Sequence, residues 1–285
     1  TKNNIEFARP IKNFSSNDIS DVIGCKSAKN IKKGYEILSS HLKRKWKYLF
    51  WLLLQVIIYF FLLQLKKFNS NNIVAILEKD YVKFPFKTEH KIDAEIEKYE
   101  KKLWFQNNMP EMTDICENFE VNSINDKKTI DFIKRYRPNV VLVFGTRKIK
   151  PNILDICKGK IYNFHGGNPE YYRGLDTNLW AIYHSQYSFL CTCLHEIDEK
   201  FDNGKIFGIK KINLKKNLKI FKLRSINTEN CVLLANKLIK KISNRNLIVL
   251  KKQKHKGRYY SAMPSILKEQ CVIKFNNYTN NLWVE

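Results

Sequence analysis

Three side chains in one stretch of this chain have the types and spacing that acyl transfer to an amine requires. An apolar run ends in Asn163-Phe164-His165, which places an amide and an imidazole two residues apart at the tip of a strand. A strand turns residues i and i+2 to the same face, so Asn163 and His165 are expected to share one pocket. A glycine-rich loop follows with Gly166, Gly167, Pro169 and Arg173-Gly174, then a helix over Leu175 to His184. A second strand, Phe189 to Ile197, leads into the acidic loop Asp198-Glu199-Lys200-Phe201-Asp202-Asn203-Gly204. An amide can donate to a developing oxyanion, an imidazole can move a proton near neutrality, and a carboxylate can orient the ring and favour its charged form. Singly, each residue has an ordinary reading: a satisfied strand-end histidine, or an Asp-Asn-Gly turn. Their order and combination point to a site.

The same residues carry a family resemblance. Asn163-Phe164-His165, Tyr172-Arg173-Gly174, Trp180 and His195-Glu196-Ile197-Asp198-Glu199-Lys200-Phe201-Asp202-Asn203-Gly204 resemble, in order and spacing, formyltransferases that use 10-formyltetrahydrofolate. That family includes the glycinamide-ribonucleotide, methionyl-tRNA and nucleotide-amino-sugar enzymes. The resemblance implies a Rossmann-like α/β fold with a mostly parallel sheet flanked by helices. It implies Asn163, His165 and Asp202 as catalytic residues. It places Phe144, Gly145, Thr146, Asp198 and Gly204 on the folate side and Gly166, Gly167, Tyr172, Arg173 and Trp180 on the acceptor side, with no metal. Two departures touch specificity more than chemistry: His165-Gly166-Gly167 replaces the His-Pro-Ser of many relatives, and Lys200 stands where Gly is usual.

The elements that must hold these residues can be read in turn. Asn72 to Leu77 reads as a short strand, Ile92 to Phe105 as a charged amphipathic helix, and Lys127 to Tyr136 as a helix capped by Asn125 or Asp126. Asn139 to Phe144, a continuous apolar run, fits a strand buried on both faces of a parallel sheet. It ends in Gly145-Thr146-Arg147-Lys148, where ligands of open α/β sheets bind, and Arg147 or Lys148 is a candidate for an acidic group of the cofactor or acceptor. Pro151 to Cys157 reads as a short helix, Lys205 to Ile212 and Leu247 to Lys251 as strands, and Asn227 to Ile242 as a helix. Lys256-Gly257-Arg258-Tyr259-Tyr260-Ser261 is similar to the stretch that closes the catalytic region of sugar-type relatives, and the stretch beyond it leaves no room for the C-terminal barrel of the tRNA enzymes.

The N-terminal part is the least regular. No glycine turn after an apolar opening strand is evident. Ala28 to Lys67 reads as a helix ending in the apolar run Leu49 to Leu65, 17 residues with lysines on both sides. A buried or dimer-forming helix, a membrane-surface helix and a short span all fit it. This divides the chain into a divergent region 1–70, a catalytic domain 71–265 and a tail 266–285.

The formal net charge of +24 among 285 residues suits anionic partners, but the excess is mostly lysine spread over the whole chain, a pattern of biased composition. Seven cysteines without a Cys-x-x-Cys pair suit a reducing cytosol. The expected activity is formyl transfer to a primary amine of a nucleotide-linked amino sugar, in the cytoplasm or at the inner face of the membrane, in a homodimer as in related sugar enzymes. Charged initiator tRNA is the alternative acceptor. A membrane-associated protein that keeps the fold without the activity is the non-enzymatic reading.

Overall fold

The computed structural model describes residues 26–27, 42–43, 48–53, 56–68, 73–79 and 83–282. The chain divides into two units, residues 1–46 and 47–285. The first shows one antiparallel pair of two-residue strands, β1 (Lys26–Ser27) and β2 (Leu42–Lys43). Everything below concerns the second.

The apolar run 49–65 is not one helix. Its first part is strand β3 (Tyr48–Leu53) and its second part is helix α1 (Val56–Phe68). The physical reason lies in the neighbours. β3 pairs in parallel with β4 (Ile73–Glu78) on one side and β6 (Val140–Phe144) on the other, so its backbone groups are satisfied laterally in the sheet interior. α1 then buries Ile58, Phe61, Leu62 and Leu65 within the protein. No helix of the described residues is long and apolar enough to cross a membrane. The expected helix over 28–47 falls almost wholly outside the described residues.

After β4 come α2 (Lys91–Phe105), α3 (Met112–Ile115), β5 (Glu117–Val121) and α4 (Lys127–Tyr136). Beyond β6 follow α5 (Pro151–Ile156), β7 (Ile161–His165), β8 (Tyr172–Gly174), α6 (Thr177–Tyr183) and β9 (Cys191–Glu196). The described chain closes with β10 (Ile206–Lys211), α7 (Leu223–Ser243), β11 (Arg258–Tyr260) and α8 (Ser265–Asn280). The main sheet runs β10-β9-β7-β6-β3-β4-β5. Its five strands from β7 to β5 are parallel, and β9 and β10 add an antiparallel edge. The strand order reverses between β3 and β6, and a crevice at the carboxyl ends of strands there is where an open α/β sheet takes ligands.

The core lies on both faces. Ile133, Ile153 and Leu154 of α4 and α5 pack on Val74, Val141 and Val143. A second cluster joins Tyr172, Ala181 and Ile182 to Cys271 and Phe275 of α8. Residues 266–285, expected as a tail, thus contain a helix whose Cys271 and Phe275 are fully buried. The strand expected over Leu247 to Lys251 is reduced to one bridge between Lys251 and Ile206, with Leu247 and Val249 exposed.

Candidate active site

β7 ends at the crevice, and its alternation decides what faces where. Phe164 turns to α1, where its ring meets Phe61 edge-on with centroids 5.2 Å apart. Asn163 and His165 turn the other way. The antiparallel β7–β9 register sets Asn163 opposite His195. Directly paired residues bring their side chains together on one face, and Asn163 Nδ2 lies 3.4 Å from His195 Nε2.

Asp202 completes the group from the loop after β9. Its Oδ1 is 3.4 Å from Asn163 Nδ2, 3.6 Å from His165 Nδ1 and 3.3 Å from His195 Nε2. Its Oδ2 accepts from Gly174 N at 2.8 Å. The structure therefore brings Asn163, His165 and Asp202 together. It adds His195, which the motif contains but which sequence reasoning gave no role. The available signal was the period of two along Cys191, Cys193 and His195, ending opposite Asn163.

Each imidazole uses its other nitrogen on a backbone carbonyl. His165 Nε2 is 2.8 Å from Tyr172 O and His195 Nδ1 is 2.6 Å from Glu196 O. A carbonyl only accepts, so those nitrogens carry the hydrogens, and His165 Nδ1 and His195 Nε2 are the nitrogens turned to Asp202. Burial pushes His165 below its ordinary value, although Asp202 pulls the other way. Asp202 behaves oppositely. Burial alone would raise it, but the His165 and His195 imidazoles and the Gly174 N–H outweigh that and hold it well below the carboxylate range. The two directions compete for one proton between His165 and Asp202. The ionised member is Asp202, because a backbone N–H and an amide N–H already point at it. Asp202 does favour the charged form of the His165 ring, but burial of the ring is the larger effect.

Asp202 is held by further contacts. Its backbone sits at φ 48°, a left-handed conformation that Asp tolerates. Gln253 Nε2 donates to Asp202 O at 2.8 Å and to Gly204 O at 2.9 Å. Arg173 grips the same loop, donating to Pro169 O at 3.0 Å, Asn203 Oδ1 at 3.1 Å and Gln253 Oε1 at 2.8 Å.

The group lies in a cleft of about 920 Å³ lined also by Phe144, Gly145, Thr146, Gly166 and Asp198. Gly145 begins its loop at φ 71°, where a side chain would be strained. Five other candidates do not line the cleft. Gly204 packs so closely that a Cβ would stand 1.8 Å from Glu196 O. At Gly167 a Cβ would stand 2.9 Å from Thr177 Oγ1. Tyr172 and Arg173 are buried, and Trp180 stacks on Tyr260 while its Nε1 donates to Ser261 O at 2.9 Å. All five support the site from behind. The cleft adds Asn178, Arg224 and Asn227, which sequence reading did not single out.

The α/β fold and the cleft have the layout that the resemblance to formyltransferases implies, and comparison with known proteins points the same way. Residues 92–225 match the family model "Formyl transferase". Over 91 residues the chain is 32% identical to the bifunctional polymyxin resistance protein ArnA of Wigglesworthia glossinidia brevipalpis, a match covering 32% of this chain and 14% of that protein. A likely sugar N-formyltransferase from Mycobacterium tuberculosis shares the fold at TM-score 0.52 and 14% identity, covering 75% of each chain. A 4-N formyltransferase from Francisella tularensis does so at TM-score 0.52 and 17% identity, covering 75% of this chain and 76% of that one. An N-formyltransferase from Helicobacter canadensis, in complex with folinic acid and dTDP-3-aminofucose, reaches TM-score 0.51 at 17% identity, with 76% and 71% covered. The resemblance to formyltransferases thus holds in sequence over 92–225 and in fold over three quarters of the chain.

Proposed function

We propose that this chain transfers a formyl group from 10-formyltetrahydrofolate to the primary amine of a nucleotide-linked amino sugar. The observation that carries the proposal is the convergence of Asn163, His165 and Asp202 on the cleft, at the carboxyl end of β7. A cleft of about 920 Å³ is near the upper end for small-molecule sites and suits two reactants side by side. Val143, Phe144, Ile149 and Ile197 give one part of its wall an apolar character suited to a flat ring system. The sugar acceptor is supported by the M. tuberculosis and H. canadensis relatives of the same fold.

In this mechanism the neutral amine attacks the formyl carbon. Asn163 Nδ2 spends one N–H on the Asp202 side and keeps the second for the tetrahedral oxyanion. His165, neutral through burial, takes the amine proton at Nδ1, where Asp202 stabilises the imidazolium. The proton is then delivered to the folate nitrogen as its bond to the formyl carbon breaks. His195 keeps Asp202 and the Asn163 amide in register from below. Holding both reactants in one crevice supplies further rate by proximity.

The test is a formyl-transfer assay on purified protein with 10-formyltetrahydrofolate, a panel of nucleotide-linked amino sugars and charged initiator tRNA. Turnover with a sugar, lost in His165→Ala, supports the proposal. Turnover with tRNA alone replaces the acceptor. No turnover and no folate binding would sink the formyl-transfer reading.

A further inference from the structure

We propose that the pair of the buried Glu78 with Arg147 is a positioning device for the donor-side rim, setting affinity for the folate rather than the rate of the chemical step. The inference rests on the formyl-transfer reading above.

Arg147, a candidate for an acidic group of the ligand, lines the cleft and is at the same time tied to the protein. Glu78, the last residue of β4, has a fully buried carboxylate. Its Oε1 accepts from Ile124 N at 2.9 Å and from Arg147 Nε at 3.1 Å, and its Oε2 accepts from Arg147 N at 3.1 Å. Arg147 Nη2 continues to Asn122 O at 2.8 Å. One carboxylate therefore holds two successive loops at the sheet's carboxyl end, the one after β5 and the one after β6. Asn125 repeats the link, accepting from Lys150 N at 2.8 Å and donating to Lys148 O at 2.9 Å. Phe144 at the end of β6, and Gly145 and Thr146 between it and these anchors, line the cleft on the side proposed for the folate.

A buried ion pair contributes little net stability, because desolvation offsets its attraction, and fixing geometry is its best-attested use. Here the geometry fixed is that of a loop that lines the cleft. Glu78 itself does not line the cleft, so its effect on ligand must pass through the loop.

The experiment measures binding of 5-formyltetrahydrofolate, an unreactive reduced folate, by calorimetry, beside thermal unfolding. Glu78→Gln removes the charge and one acceptor. Arg147→Gln keeps Glu78 and both backbone hydrogen bonds, and serves if Glu78→Gln fails to fold. Phe275→Leu, remote in α8, is the control for lost stability. The Kd is expected to rise at least tenfold in Glu78→Gln and several-fold in Arg147→Gln, and to stay unchanged in Phe275→Leu. With an acceptor that turns over, kcat at saturating donor and the acceptor KM stay within about twofold of wild type.

Unchanged folate affinity in both rim variants, with wild type binding, would overturn this inference and leave formyl transfer standing. So would a fall in kcat as large as the change in affinity. Absence of binding by wild type would overturn both.

Discussion

At the scale of single residues the site depends on how charge is divided among Asn163, His165, His195 and Asp202. Asp202 accepts from a backbone N–H and is flanked by two imidazoles, so it stays ionised in the folded protein. His165 is nearly enclosed, and burial favours its neutral form. A titration of the His165 ring by NMR should therefore give a midpoint below the ordinary imidazole value of about 6.5. Asp202→Asn removes the neighbour that raises it most, ahead of the Tyr172 carbonyl, so the midpoint should fall further. A midpoint that rises instead would mean the carboxylate does not face the ring. Removing a preorganised oxyanion donor costs about 100- to 1,000-fold in kcat, so Asn163→Ala should lose that much in the formyl-transfer assay while folate binding changes little. A loss confined to folate affinity would place Asn163 in binding instead. Asn163 and His165 were legible because a period-two pair at a strand tip is a local pattern. The part of His195 was not legible singly, because it depends on which strand pairs with β7 and in what register.

Among the elements, the two glycine-bearing turns show which local signals carry the site. Gly174 ends β8 at φ 93°, and its N–H holds Asp202. A Cβ there would stand 2.1 Å from Tyr260 O of β11, so Gly174→Ala must push β8 and β11 apart as well as strain the backbone. Gly159, before β7, sits at φ 71° with open space around the Cβ position. Left-handed backbone costs an ordinary residue roughly 1–2 kcal/mol. Gly159→Ala should therefore lower Tm by a few degrees and leave activity alone. Gly174→Ala should lower Tm more and reduce kcat/KM, because the shifted β8 carries the residue-174 N–H away from Asp202. Equal effects on activity would break the link between β8 and Asp202. Between β4 and β7, β4, α2, α4, β6, α5 and β7 followed closely from their apolar runs and caps, whereas α3 and β5 were not read from the sequence. The run 49–65 did not, because a six-residue apolar strand and an apolar helix follow each other with only Leu54-Gln55 between them and no glycine, proline or charge to mark a turn. Only lateral pairing with β4 and β6 distinguishes the two.

For the whole molecule, the buried charges of the site should be visible in stability. The helix α8 shows why such coupling is global: Thr279 near its end donates to Leu218 O at 2.9 Å, Phe275 is fully buried, and its Lys268 lines the active cleft. A sequence without period or turn signal there read as a tail, because α8 is apolar or polar on every side and only its packing partners make it a helix of the core. His165 binds its proton less tightly folded than unfolded, so the unfolded chain takes up a proton first as pH falls below about 6.5, and stability is lost from that point down. His184, also lowered by burial and by Arg258 and Lys274, acts in the same window. The contribution of Asp202 is present above about 3.9 and is lost as pH falls through its lower folded value. Glu100, raised by burial beneath Arg224, acts in the opposite sense within the carboxylate range, so the clean window lies above it. Urea unfolding between pH 7.5 and 5 should thus show a midpoint falling with pH. His165→Gln should flatten part of that slope, and the remainder should go with His184→Gln. A slope unchanged in both variants would mean that neither ring is buried against protonation, and the charge assignment at the site would have to be reversed.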